Sequence, residues 1–280
     1  MSGADNRMIE GSAPRYPAVT GARIRRIVID QSKRANVGHI GSCLSVADIL
    51  AVVYGDLLRA ETPDAADRDR FVLSKGHAAL ALYAALRLRA WLTDAELDTF
   101  CADGSLLGVH PQHQLTGIDF ATGSLGMGLS FAAGAALAAR LQHSGRRSYV
   151  LLSDAECNEG SLWETLMFAA HHRLDTLTAF VDVNRQQALG YTEDVLSTSP
   201  LIDRFASFGW DAIEVDGHDR AAMLGAAAAP RDSRPRVLLC RTVFGKGVSF
   251  MEGRIAWHYL PMSDEQYQAA IAELGASECG

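Results

Sequence analysis

Short apolar segments with the composition of buried strands alternate with helical segments rich in alanine and leucine along most of the chain. The strand-like segments are residues 71–74 (FVLS), 148–154 (SYVLLSD), 177–183 (LTAFVDV), 212–215 (AIEV) and 236–243 (RVLLCRTV). This alternation predicts an α/β fold in which a parallel sheet is flanked by helices on both faces. We also predict helices over 18–35 and 45–59, and a terminal helix after the capping sequence that begins at Ser263.

Composition narrows the class of protein further. The chain has 280 residues, 48% of them hydrophobic, which is enough for one core, so we predict a single domain over 18–280 preceded by a mobile arm over 1–17. A net charge of −7 without a basic patch argues against nucleic-acid binding, and the lack of a long apolar run argues against membrane association. Five scattered cysteines without a C-x-x-C motif fit reduced thiols and a cytoplasmic location.

Four turns combine glycine with histidine or with a pattern typical of anion binding: residues 36–42, 74–80, 108–112 and 121–130. Each is weak evidence alone, because a histidine beside glycine is more often a surface or capping residue. The turn at 121–130 differs, since several backbone N–H groups ahead of a helix can converge on an anion. Its glycines are spaced G-x-x-G-x-G, which excludes the dinucleotide fingerprint, and GKG at 245–247 lacks the P-loop spacing.

Polar side chains follow two of the predicted strands at equivalent points. Asp154 follows SYVLL and Asn184 follows TAFVDV. In open parallel sheets ligands bind at the carboxyl ends of the strands, and carboxylate and amide oxygens suit Mg²⁺. Taken alone, Asp154 could instead cap a helix near Gly160 and Asn184 could form a turn; together with the four turns, the metal interpretation is favoured.

The complete set of motifs resembles the N-terminal, thiamine diphosphate-binding half of the transketolase family. The pieces follow the family's order over residues 18–262: Gly38-His39, DRFVLSKGH (69–77), His110-Pro111, TGSLGMG (122–128), DAECNEGSLWE (154–164), VDVN (181–184), GKG (245–247) and Trp257-His258. The resemblance implies the thiamine diphosphate-binding fold.

The resemblance also implies a role for each matching position. The metal ligands for Mg²⁺, or for Ca²⁺ or Mn²⁺, would be Asp154, Asn184 and the main-chain carbonyl of Gln186. The contacts of thiamine diphosphate would be Ser42, His77, Gly123, Ser124, Leu125, Asp154, Ala155, Asn184 and Lys246. The catalytic, substrate-facing histidines would be His39, His110 and His258, and Glu159 resembles the acid that faces a partner carboxylate across the subunit interface.

One loop departs from the family pattern. The family's loop reads G-D-G, whereas this chain has Ser153, Asp154 and Ala155. If position 155 needs a positive φ, alanine costs on the order of 1 kcal/mol; if it needs only space, a methyl group fits with a small shift. We expect cofactor binding to be weakened or adjusted rather than abolished.

The resemblance stops before the pyrimidine-binding and C-terminal domains of a complete transketolase. It therefore implies the N-terminal subunit of a two-component, thiamine diphosphate-dependent transferase that moves a two-carbon ketol unit from a ketose donor to an acceptor. A separately encoded C-terminal subunit would complete a dimer of heterodimers, a heterotetramer acting on a sugar or sugar phosphate. Two alternatives remain open: a related enzyme that passes the unit to a carrier protein or secondary-metabolite acceptor, and a non-catalytic scaffold.

Overall fold

A five-stranded parallel sheet forms the centre of the molecule. The computed structural model describes residues 15–277. The strands are β1 (Arg70–Leu73), β2 (Ser148–Ser153), β3 (Leu177–Val183), β6 (Asp211–Asp216) and β7 (Arg236–Arg241), in the order β1-β2-β3-β7-β6; β4 (Gln186–Gln187) and β5 (Gly190–Tyr191) form a small separate hairpin. All neighbours in the main sheet run parallel, which confirms the predicted fold class.

Helices cover both faces of this sheet. They are α1 (Gly21–Ala35), α2 (Ile40–Ser45), α3 (Ala47–Val52), α4 (Ala79–Leu88), α5 (Asp94–Leu97), α6 (Gly128–Leu141), α7 (Gly160–His171), α8 (Thr192–Leu196), α9 (Leu201–Ser207), α10 (Arg220–Ala228) and α11 (Asp264–Ser277). The first four pack with α10 and α11 on one face, whereas α6, α7 and α9 pack on the other.

The strands divide their side chains between the two faces because successive residues of a strand point in opposite directions. In β1, Phe71 and Leu73 join the core beneath α1 and α4, while Val72 joins the core beneath α6 and α7. Strands β2 and β3 are buried along their whole length. This double burial explains why their sequences are continuous apolar runs rather than alternating ones.

The predicted helix over 45–59 is wrong in its bounds and its continuity. The helical region begins at Ile40, is interrupted at Val46, and ends in a π-helical turn over Val53–Leu57. The amide of Leu58 donates to the carbonyl of Val53, five residues earlier, at 2.8 Å. β-branched residues and Gly55 favour such a local irregularity because each is a weak helix former.

The chain ends are anchored differently from each other. Residues 1–14 of the predicted mobile arm lie outside the described residues, but Tyr16 donates its amide to the carbonyl of Gly55 at 3.0 Å. At the other end, Ser263 and Gln266 exchange the two hydrogen bonds of a capping box, as the sequence predicts. Across residues 15–277, none of the helices combines the length and apolar character that a bilayer crossing requires.

Candidate active site

The candidate site lies at the carboxyl edge of the sheet, where four adjacent strands end. Lys75, Asp154, Asn184 and Thr242 follow β1, β2, β3 and β7, which are neighbours in the sheet. Because parallel strands end together at one edge, segments from four distant parts of the chain meet here. The sheet order therefore brings the predicted residues Asp154 and Asn184 together with Lys75 and Thr242, which were not predicted.

Asp154 is a buried carboxylate that is held by main-chain donors. Its side chain accepts the amide of Arg185 at 2.7 Å and the amide of Ala155 at 2.9 Å. Within residues 15–277 no basic side chain forms an ion pair with it. Burial, followed by the nearby Asp182, raises the pKa of Asp154 to about 7. A cation at this carboxylate would offset that burial, so the residue fits a metal ligand.

The orientation of Asn184 is set by a buried ion pair. Lys75 pairs with Asp182, and both side chains are almost completely buried, at 1% and 0% exposure. Asp182 also accepts hydrogen bonds from Ser45 at 2.8 Å, from Thr242, and from the Asn184 amide nitrogen at 2.7 Å. An ionised carboxylate only accepts, so the amide nitrogen of Asn184 faces Asp182 and its oxygen faces the other way.

The main chain after Asn184 bends sharply towards Asp154. Arg185 adopts a left-handed conformation with φ of 63°, which is uncommon for a residue other than glycine, and this places its amide on Asp154. The next amide, that of Gln186, donates to Asn184 Oδ1 at 2.9 Å. The amides of the consecutive residues Arg185 and Gln186 thus bind the side chains of Asp154 and Asn184, respectively.

The donor set fits a hard divalent cation. One carboxylate, one amide oxygen and one main-chain carbonyl are oxygen donors of the kind that Mg²⁺ prefers. Across residues 15–277, no three side chains of histidine, cysteine, aspartate or glutamate are arranged to hold a metal. A metal at this edge would therefore depend on the amide and carbonyl oxygens as well as on Asp154.

Ala155 sits without backbone strain. It begins a right-handed 3-10 turn over Ala155–Asn158 and is absent from the positive-φ residues of the described chain. The steric penalty that alanine would carry in a left-handed conformation does not apply here. Asp154 precedes this short turn, whereas helix α7 begins at Gly160 after Glu159, so the alternative of Asp154 as the cap of α7 is wrong.

Glu156 accepts hydrogen bonds from the end of the glycine-rich turn and from the neighbouring strands. This buried carboxylate accepts the amides of Gly126 and Ser153, both at 2.9 Å, and the hydroxyl of Ser74. Burial raises the pKa of Glu156. None of the amides of residues 123–125 donates to an acceptor within the described residues, so these three N–H groups are available to an anion.

Four histidines converge beside this turn. The ring centroids of His39, His77 and His258 lie 5.3 to 5.8 Å apart. His110 approaches Gly123 so closely that a Cβ on that glycine would lie 3.4 Å from the imidazole Cδ2. His110 is also near enough to His39 and His77 to contribute to the lowering of their pKa values, so the four histidines form one cluster.

The histidines are held in the neutral form. Burial and then His39 lower the pKa of His258 to about 4, and burial and then Lys75 lower the pKa of His77 well below its usual value. The pKa values of His39 and His110 are lowered by burial too. His77 Nε2 lies 3.1 Å from the hydroxyl of Ser42, which connects the two predicted cofactor contacts. Neutral imidazoles can both donate and accept hydrogen bonds to hydroxyl groups near neutral pH.

Two predicted residues lie at the margins of the site. Glu159 is exposed and stands against the glycine-rich turn, where a Cβ on Gly126 would come within 2.6 Å of its own Cβ. Lys246 lines a cavity of about 550 Å³ with Asp216 and His218, whereas Asp154 lines a different cavity. The structure records no contact between Lys246 and Asp154, and the assignment of Lys246 to the diphosphate stays a prediction.

Comparison with known proteins identifies the family. Residues 18–278 match the family described as the transketolase, thiamine diphosphate binding domain. The chain belongs to the transketolase family and corresponds to its N-terminal, thiamine diphosphate-binding domain.

Two relatives of similar length are named as transketolase subunits. The chain is 40% identical over 256 residues to the 6-deoxy-6-sulfo-D-fructose transketolase subunit SqwG of Clostridium sp. (strain MSTE9), covering 90% of this chain and 93% of that protein. It is 37% identical to a subunit of the apulose-4-phosphate transketolase of Phocaeicola vulgatus, covering 89% and 90% respectively. These similarities confirm the predicted match to an N-terminal transketolase subunit.

Longer relatives contain this chain as one part. Human transketolase is 36% identical, with 91% of this chain matching 41% of that protein. The crystal structure of transketolase from Campylobacter jejuni superposes with a TM-score of 0.85 at 28% identity, covering 92% of this chain and 42% of that one. The chain thus spans about two fifths of the solved transketolase chain that it matches.

Three charged residues of the site were not predicted from the sequence. Lys75, Glu156 and Asp182 are charged, buried and central to its hydrogen bonding. A signal existed for two of them: Asp182 interrupts the apolar run of β3, and Lys75 lies just after β1. A charge in such a buried segment requires a partner, but the partner itself is not visible in the sequence.

Proposed function

We propose that this chain is the metal-binding and diphosphate-binding subunit of a two-component transketolase-like enzyme. The observation that carries the proposal is the meeting of Asp154, Asn184 and the glycine-rich turn at one sheet edge, with the histidine cluster beside them. Asp154, Asn184 and the Gln186 carbonyl would hold Mg²⁺, or Ca²⁺ or Mn²⁺. The amides of residues 123–125 would receive the diphosphate of thiamine diphosphate.

The cofactor, when bound, supplies an electron sink that allows the bond beside a ketose carbonyl to break. The chain's own residues bind and orient. Ser42 and His77 form a hydrogen-bonded pair at the cofactor side of the cluster, and His39, His110 and His258 offer neutral imidazoles to sugar hydroxyls. An imidazole that is neutral at pH 7 can accept a proton from a hydroxyl and return it later, which is the role proposed for these three residues.

The position of Glu159 supports a role for a second chain. Glu159 is exposed at the edge of the glycine-rich turn, where a carboxylate of a partner subunit could face it. Two relatives that match this chain over about 90% of their own length are named subunits, which supports a separately encoded C-terminal partner. We propose a heterotetramer built from two such pairs, acting in the cytoplasm.

The substrate class follows from the histidine cluster and from the relatives. Several neutral imidazoles suit a polyhydroxylated donor, and two relatives are named for a sulfosugar and a sugar phosphate. A ketose carrying an anionic end group is therefore the proposed donor. The unstrained backbone at Ala155 favours a cofactor-binding subunit over a scaffold, because the departure from glycine leaves the turn intact.

The proposal is tested by native mass spectrometry of this chain co-expressed with a separately encoded transketolase C-terminal chain, with Mg²⁺ and thiamine diphosphate present. We expect a complex with one cofactor per pair of chains. The Asp154→Ala variant serves as the matched control and should assemble without cofactor. A wild-type complex that stays empty would contradict the proposed function and favour the scaffold.

A further inference from the structure

His218 joins a carboxylate on one side to a main-chain amide on the other. It lies in the turn between β6 and α10, and its side chain is 15% exposed. Its Nδ1 atom lies 2.7 Å from Asp48 Oδ2, and its Nε2 atom lies 3.0 Å from the amide nitrogen of Val243. An ionised carboxylate only accepts hydrogen bonds and a main-chain amide only donates them. A neutral imidazole that carries its proton on Nδ1 therefore satisfies both contacts at once.

Asp48 is itself fixed by a second partner. Arg25 of α1 donates through both terminal nitrogens to the Asp48 carboxylate, and its Nε donates to the carbonyl of Leu44 at 3.2 Å. The side chains of Arg25 and Asp48 are 10% and 20% exposed, so solvent competes little for these bonds. The network connects α1, α3 and the turn after β6, which leaves the imidazole of His218 little freedom to rotate.

Gly217 allows this turn to lie against the end of β7. Its amide donates to the Arg241 carbonyl at 2.8 Å, and a Cβ at this position would lie 2.5 Å from Thr242 Cγ2. A residue larger than glycine would push the turn away from the strand. The imidazole of the next residue therefore reaches the amide of Val243, just after β7 has ended.

The chain after β7 forms a loop over residues 242–247, called here the Val243 loop, that carries Phe244 into the candidate active site. The Phe244 side chain is 1% exposed, and its ring lies at 21° to that of His258 with the centroids 6.5 Å apart. A Cβ on Gly41 would lie 2.1 Å from the same phenyl ring, and the Gly41 carbonyl accepts the amide of Gly245 at 3.0 Å. The Val243 loop thus packs between α2 and the histidine cluster.

We propose that His218 is a positioning residue for His258, and this inference rests on the proposed function, in which His258 faces the ketose. His218 acts through the amide of Val243, one residue before Phe244. Without an acceptor at this point the amide would have to find another partner, and the loop would move with it. A displacement of about 1 Å at a group that orients a substrate can cost about 100-fold in rate.

Two variants separate the two hydrogen bonds of the imidazole. In His218→Asn the side-chain amide can still donate to Asp48 from the position of Nδ1, but nothing reaches the amide of Val243. In His218→Gln the longer side chain places its oxygen near the position of Nε2, where it can accept that amide. The matched control is Asp219→Ala, which removes the cap of α10 in the same turn, since the Asp219 side chain accepts the first amides of that helix.

Two measurements on the full chain, without cofactor or partner, report the position of the Val243 loop. Hydrogen exchange followed by mass spectrometry measures the protection of its amides, and the imidazole nitrogen resonances of His258 report the surroundings of that ring. We expect His218→Asn to accelerate exchange of the loop by at least about tenfold and to shift the His258 resonances. His218→Gln and Asp219→Ala should both stay near wild type.

The complex with a separately encoded transketolase C-terminal chain, loaded with Mg²⁺ and thiamine diphosphate, gives the kinetic counterpart. With fructose 6-phosphate as donor, we expect kcat/KM to fall by at least about tenfold in His218→Asn and to recover in His218→Gln. Asp219→Ala should transfer the ketol unit like wild type, because its lesion lies in α10 and leaves the Val243 amide paired.

Unchanged exchange and unchanged His258 resonances in His218→Asn would overturn the inference. Equal changes in Asp219→Ala would overturn it too, because they would reflect a general loosening of the turn. A loop that is released in His218→Asn without any loss of kcat/KM would show that its position does not matter to the reaction. A wild-type complex that takes up no cofactor, or transfers nothing from this donor, would instead count against the proposed function, while the measurements on the isolated chain would still decide whether His218 positions His258.

Discussion

Replacing Lys75 with methionine removes the positive partner of a completely buried carboxylate. Methionine keeps the length and apolar stem of the lysine, so the change mainly leaves Asp182 charged at 0% exposure. Its remaining donors, from Ser45, Thr242 and Asn184, are neutral. Removing one member of a buried pair typically costs about 3–5 kcal/mol, because an uncompensated buried charge remains.

Such a loss is large beside the roughly 5–15 kcal/mol by which typical domains are stable. The matched control is Arg241→Met, which breaks a pair with Glu214 whose side chains are 56% and 41% exposed. Pairs exposed to this degree contribute about 0–1 kcal/mol. The double variant Lys75→Met with Asp182→Asn should recover part of the loss, since no net charge stays buried.

Urea unfolding of the three variants, followed by circular dichroism, measures these differences in the free energy of unfolding. The reasoning is refuted if Lys75→Met costs no more than Arg241→Met. It is also refuted if the double variant is no more stable than Lys75→Met. Either result would mean that Asp182 does not depend on Lys75 for compensation.

Three further predictions concern the site. Asp154→Ala should abolish Mg²⁺-dependent binding of thiamine diphosphate to the assembled complex, measured by calorimetry, with the melting temperature retained; unchanged binding would remove Asp154 from the metal site. Ala155→Gly should not tighten that binding, because Ala155 is unstrained. The same change should lower the free energy of unfolding by up to about 1 kcal/mol, because glycine has more conformational freedom in the unfolded chain. Tighter cofactor binding by this variant would contradict the absence of strain. The pKa of His258 is lowered to about 4 in the folded chain, from about 6.5 when unfolded, so protonation favours the unfolded state. Stability should therefore fall as the pH drops from about 6.5 towards 4, and less so in His258→Gln; equal melting curves of the two proteins across this range would contradict the assignment.

The sheet and the polar ends of its strands could be predicted because both are local properties of the sequence. Buried strands such as LTAFVDV read as continuous apolar runs, and the residue after each run must lie at the carboxyl edge of a parallel sheet. The roles proposed for Asp154 and Asn184 followed from that position and from the resemblance to a family. The structure joins these two residues through the amide of Arg185.

The interrupted helix after Ile40 shows where prediction from the local sequence pattern failed. Helical periodicity indicated one segment over 45–59, but the chain forms two short helices and a π-helical turn. Periodicity describes which side of a helix is apolar, and a π turn changes it only slightly. The irregularity coincides with weak helix formers such as Val53 and Gly55, which apolar periodicity does not take into account.

The sequence by itself determined the fold class, the family and the positions at which polar groups emerge from the sheet, because each depends on local periodicity or on ordered motifs. Only the tertiary structure decided that Lys75 compensates Asp182, that Glu156 supports the turn at Gly126, and that position 155 tolerates alanine. The first pair is separated by 107 positions in the chain. Charge compensation and backbone conformation in a buried site depend on which segments the sheet order brings together, and that order is set by the packing of the whole domain.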